Sequence, residues 1–218
     1  MKTNPFLDTW LFFLGQQPDQ VNLGILRLFP SILLTVLLIS GVAIAARNWA
    51  DDPGQRTGGN VATWLARTLV GSMWLQGSLW KLPIGTENGL FYWTKQMVTD
   101  SAFDWHRELV DKVLLPVFLV VDPLVFMTEI AFAVSLILGF GVRLVGIVGV
   151  LFVLNLWIGL YRNGAEWPWN YIFLAIVMGG FSLHAAGRAL GLDAMLQRRR
   201  LEGWGRPGLA ERLVAVAT

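Results

Sequence analysis

The sequence contains no cysteine and only two histidines among its 218 residues. Without a thiol, disulfides, thiolate metal sites, covalent c-type haem and cysteine-based disulfide exchange are all excluded. His106 and His184 alone argue against an all-protein bis-His haem, and His184 is not accompanied by a second-ligand cluster at metal-site spacing. Charge is scarce as well. Asp, Glu, Lys and Arg make up 15% of the chain, where an average soluble domain has about 25%. Against these shortages stand 55% hydrophobic residues and 11 Trp. That is the composition of an integral membrane protein folded as a single all-α bundle.

Residues 5–17, PFLDTWLFFLGQQ, are apolar and aromatic but too short to span. They lack the basic n-region and small-residue cleavage site of a secretory signal. Residues 1–24 are therefore expected to form an interfacial segment, with Trp10 near the headgroups. A first span is expected over 25–46, with Pro30 near its start, and turn residues NWADDPGQRTGGN follow it. A second span covers about 62–82 and stops at Pro83 and Gly85. Residues 83–115 read as a long hydrophilic excursion. Within it Ser101, with Asp104 three residues on, is the expected cap of an amphipathic helix whose apolar face is Phe103, His106, Val110, Val113 and Val117. Asp122-Pro123 opens a third span reaching Phe140, and Arg143 opens a fourth reaching Leu160 after a tight glycine turn. A fifth, over 171–186, follows the Trp-rich loop YRNGAEWPWN, and residues 197–218 form a basic tail.

Five spans place the 47–67 loop, the 141–143 turn and the tail on one side. That side carries Arg47, Arg56, Arg67, Arg143, Arg188, Arg198, Arg199, Arg200, Arg206 and Arg212. The opposite side holds the other seven basic residues, offset by carboxylates. Positive charge favours the cytoplasm, so the C-terminus is expected inside and the N-terminus outside, in a bacterial or archaeal inner membrane. The RRR run at 198–200 reads as a contact with membrane lipids, not nucleic acid.

Two helix faces organise the remaining polar residues. Arg67, Gly71, Trp74, Ser78 and Lys81 recur at steps of three and four, which aligns them on one face about 21 Å long at 1.5 Å per residue. Glu129, Phe132, Leu136, Phe140 and Arg143 do the same in the third span. Packed antiparallel, the two faces bring Lys81 within reach of Glu129 at one end. At the other end Arg67, Arg143 and His184 would form a polar cluster. A carboxylate about 10 Å into a span costs at least about 2.5 kcal/mol unless it is paired or protonated. Two explanations remain open for Glu129. In one it pairs with Lys81 or Arg162, Gln76 and Asn155 join helices, and the Trp residues form an interfacial belt. In the other, Trp74, Gln76, Asn155, Arg162, Trp167 and Trp169 surround a quinone head group, for which Glu129 and Lys81 do the proton chemistry.

Arg67–Gly71–Trp74–Gly77–Lys81, followed by Glu129 and the hairpin LILGFGVRLVG, resembles the DoxX family. WPWNY at 167–171 and GRALGLDAML at 187–196 are closer to its DoxD branch. The resemblance covers about residues 62–196 and implies a DoxX-like four-helix transmembrane core over 60–196, to which the first span is an addition. For the DoxD branch it further implies a subunit of a thiosulfate:quinone oxidoreductase. Lys81 and Arg162 would then attract the anionic donor. Quinone would be substrate or bound ligand, with no intrinsic haem, metal or flavin, and a partner subunit would supply the missing redox group. The rival expectation is a non-catalytic accessory subunit of a larger respiratory or photosynthetic complex.

Overall fold

The computed structural model describes residues 4–85 and 89–201, so most of the basic tail, including Arg206 and Arg212, lies outside the described residues. The described residues are helical and contain no strand. Helix α1 (Pro5–Phe13) starts where the Asn4 side chain accepts from the Phe6 and Leu7 amides. After the short α2 (Pro18–Val21) the chain doubles back, and the Gln20 amide and the Ser31 hydroxyl both donate to the Phe12 carbonyl at 2.9 and 2.6 Å. A 3₁₀ turn leads into α3 (Phe29–Asp51). The first apolar segment therefore runs from Gly24 to Asp51, longer than the sequence suggests.

Thr57 caps α4 (Gly58–Ser78), and a single 3₁₀ turn carries the chain on to Lys81. The 83–115 region departs from expectation. It holds α5 (Gly89–Asp100), α6 (Asp104–Leu109) and a π-helical turn over Val110–Leu114. Phe103, not Ser101, occupies the cap position of α6. The Ser101 hydroxyl is taken by the Met97 carbonyl and His106. Only His106 and Val110 of the expected apolar face are buried, while Phe103, Val113 and Val117 are exposed.

Helix α7 (Phe118–Leu138) begins four residues before Asp122 and carries Pro123 internally. Asp122 does not cap it, because its carboxylate accepts from the Gly85 amide at 2.7 Å. Left-handed Gly139 and Gly141 make the turn into α8 (Val142–Gly159). Helix α9 (Pro168–Leu183) starts three residues earlier than expected, since Pro168 sits in its first turn, where its missing N–H is not needed. After a further 3₁₀ turn over Ala186–Arg188, α10 (Leu192–Leu201) closes the described chain.

Helix α4 packs along α7 and α8 along α9, with α3 laid against α7 and α4. Small residues set these distances. A Cβ at Gly71 would meet Ile137 Cγ1 at 2.8 Å, and one at Gly146 would meet the Met178 carbonyl at 2.6 Å. Trp74, Leu75, Phe132, Leu136, Ile137 and Met178 fill the space between the helices. The outward surface is apolar: Leu69, Leu119, Leu124, Leu151, Ile176 and Leu183 are all at least 60% exposed. So large an apolar exterior marks a membrane-associated protein. Three segments, Gly24–Asp51, Phe118–Leu138 and Val142–Gly159, are long and apolar enough to cross a membrane. Helix α9 is apolar but has 16 residues, and the longer α4 carries buried Arg67 within its length.

Candidate functional site

The α4 face and the Glu129–Leu136 part of the second face point into the bundle, whereas Phe140 is 52% exposed and Arg143 only half-buried. Arg67, Gly71, Trp74, Ser78 and Lys81 are all buried, as are Glu129, Phe132 and Leu136. Lys81 Nζ donates to Glu129 Oε2 at 2.6 Å, and the two side chains are only 4% and 6% exposed. The ammonium also donates to the Gly77 carbonyl at 3.2 Å and lies 4.2 Å from the Trp80 ring centre. These contacts hold the charge in place. One layer deeper, Trp74 meets Phe132 and Phe152 edge-on, with ring centres 5.0 and 5.9 Å apart. Its indole N–H is buried without a hydrogen-bond partner among the described residues, an arrangement that costs free energy unless something accepts that proton.

The other candidates do not converge on this pair. Gln76 is exposed on the far side of α4. Asn155 bonds instead to His106 Nε2 at 3.0 Å. Arg162 is exposed and donates to the Ala102 carbonyl at 3.2 Å, while Glu129 is buried with Lys81. An anion therefore could not meet Lys81 and Arg162 on one surface. Trp167 and Trp169 are 56% and 58% exposed. Helical spacing specifies which residues of α4 and α7 meet; Gln76 lies off that face of α4, and nothing in the sequence registers Asn155, Arg162, Trp167 or Trp169 against it.

The Arg67 end also differs from expectation. Arg67 is wholly buried and donates to the Leu136 and Ala189 carbonyls. Among the described residues no hydrogen bond or ion pair joins it to Arg143 or His184. Arg143 meets α9 through its carbonyl, which accepts from Ser182 Oγ at 2.8 Å, and His184 is exposed with Nδ1 3.0 Å from the Gly180 carbonyl. The residue that completes this end is Asp193. It is wholly buried and accepts from the Gly141 and Val142 amides at 2.8 and 3.2 Å, while its own amide donates to the Gly139 carbonyl at 2.8 Å. It thereby caps the first turn of α8 from outside the helix. Burial pushes the Asp193 carboxyl above its ordinary range, opposed by those two amides and by Arg67 and Arg188. No local spacing signals this role, because the capped turn lies about fifty residues earlier in the chain.

Among the described residues no group of three or more His, Asp or Glu side chains gathers in a way that could hold a metal ion. A quinone head group needs donors for its carbonyls and an aromatic face. Lys81, Glu129 and the unpartnered indole of Trp74 fit that chemistry, whereas Gln76, Arg162, Trp167 and Trp169 are too exposed to join them. A comparison with protein-family models finds no match, and neither do comparisons with curated proteins or with solved structures.

Proposed function

We propose that this chain is a five-span inner-membrane protein of DoxX-like build that serves as the quinone-interacting subunit of a redox complex. The Lys81–Glu129 pair supports this reading most directly. Burying two charges between membrane helices is expensive, and apolar residues of similar volume are often at least as stable. Ionisable residues at such depth mark function more often than packing. When bound, a quinone would supply the acceptor for two electrons and two protons. Glu129 holds or releases a proton at Oε2, and Lys81 balances the resulting change in charge. Trp74 offers an N–H that has no partner among the described residues, beside the Phe132 and Phe152 rings. Because the sequence has no haem, flavin or metal motif, electrons would come through a partner subunit, with thiosulfate the donor that the family resemblance suggests.

The test is quinol formation by the protein together with its copurifying partner, with thiosulfate as donor. Glu129→Gln keeps an acceptor for Lys81 but removes the acid, and should lower turnover about 10²-fold with assembly intact. A folded Lys81→Met/Glu129→Leu variant with wild-type turnover would sink the proposal. The accessory-subunit reading is favoured by a different observation: Gln76, Arg162, Trp167 and Trp169 are spread over the surface, where a partner could cover them. Under that reading the same variants lose assembly and turnover in parallel.

A further inference from the structure

Helix α10 lies against α3, and between them is a cavity of about 460 Å³ lined by Arg47, Asp51, Met195, Arg198 and Arg199. Three guanidinium groups and one carboxylate leave it with two net positive charges (3 − 1 = 2). Arg47 and Asp51 interact at 3.5 Å but stay open, with 64% and 49% side-chain exposure. Arg198 is fixed more firmly. Its Nη2 donates at 2.8 Å to Asn48 Oδ1, and the wholly buried Asn48 in turn donates to the Gly191 carbonyl at 3.0 Å. The Arg198 charge is therefore held in position before any ligand arrives, while Arg47 and Arg199 stay open to meet one.

The cavity sits where the Gly24–Asp51 apolar segment ends, the depth at which lipid phosphates lie beside a spanning helix. On the helix face leading away from Arg47, at steps of four, four and three, come Ala43, Ile39 and Val36, all exposed. A free phosphate would have no use for that apolar track, whereas acyl chains would. We propose that this cavity binds the phosphodiester headgroup of an anionic phospholipid, whose chains run along the Ile39 and Val36 face of α3.

The test is native mass spectrometry of the full chain in detergent, titrated with phosphatidylglycerol or phosphatidylcholine. Phosphatidylglycerol should bind at clearly lower concentration. Arg47→Gln/Arg199→Gln should weaken it by about fivefold per arginine removed, and Arg47→Lys/Arg199→Lys should restore it. Asp51→Asn removes the opposing charge without touching an arginine and should tighten binding about fivefold. Arg27→Gln, at the other end of the same apolar segment, should change nothing. The proposal is overturned if the glutamine variant binds like the wild type or if both lipids bind equally. It is equally overturned if inorganic phosphate alone displaces the lipid, which would assign the cavity to free phosphate.

Discussion

Lys81 and Glu129, 48 residues apart in the chain, meet as a 2.6 Å ion pair sealed inside the bundle. Such a pair is asymmetric to mutation. Glu129→Leu takes the carboxylate partner from a buried ammonium and should cost about 3–5 kcal/mol. Lys81→Met should cost less, because Glu129 can take up a proton. Replacing both by apolar residues should recover most of the loss. Reversible unfolding in micelles across this double-mutant cycle gives the coupling directly, and equal, additive losses would contradict the pairing.

Gly139 and Gly141 both adopt left-handed backbone, with φ of 70° and 62°, yet they should respond differently to alanine. Each substitution carries the left-handed penalty of about 1–2 kcal/mol. At Gly141 a Cβ would meet nothing within 4 Å, whereas at Gly139 it would meet Arg67 Nη1 and Gly191 Cα, each at 2.7 Å. Gly139→Ala should therefore lose roughly twice as much stability as Gly141→Ala, or more. Melting temperatures of the two variants measured side by side decide it.

These pairs mark the boundary of what the sequence discloses. Steps of three and four carry the register of α4 and α7, so the meeting of Lys81 with Glu129 follows from periodicity. The same logic buries Trp74 and Phe132 in one layer. Nothing periodic links Asp193 to the Gly141 amide or Asn48 to the Gly191 carbonyl, since these contacts join a helix end to a turn distant in sequence. Trp167 and Trp169, at the cap and in the first turn of α9, look like site residues because aromatic rings suit a quinone, but composition says nothing about where their side chains point. Pro123 misleads for a related reason. An Asp-Pro pair reads as a helix start, yet Asp122 is engaged by the Gly85 amide and α7 begins a turn earlier.

Asp193 should impose a pH dependence of known sign. Its carboxyl titrates above the ordinary 3.8 because burial disfavours the charged form. In the window opening just above that value, the folded state binds more protons than the unfolded chain. This group's contribution to stability therefore falls as pH rises through the window. Asp193→Asn removes the titration, so its stability relative to wild type should rise as pH climbs from the ordinary carboxylate range through the folded-state value. A difference that stays flat over that range would show that Asp193 is charged throughout.

His106 ties the α5–α6 region to the bundle. It is 1% exposed, with Nδ1 2.8 Å from Ser101 Oγ and Nε2 3.0 Å from the Asn155 side chain on α8. The Ser101 hydroxyl already donates to the Met97 carbonyl at 2.5 Å. Asn155 presents Oδ1 to Nε2, so Nε2–H donates there and Nδ1 accepts a share of the same Ser101 proton. Asn155→Leu leaves this buried imidazole with one partner missing, a loss of about 1–3 kcal/mol. The loss should be local, because α5 and α6 meet the long helices mainly through α8 and α7. Hydrogen exchange should rise across residues 89–114 while the amides of α4 and the α7–α8 turn stay as protected as in the wild type. Faster exchange spread evenly over all helices would instead make the His106–Asn155 contact part of the global core.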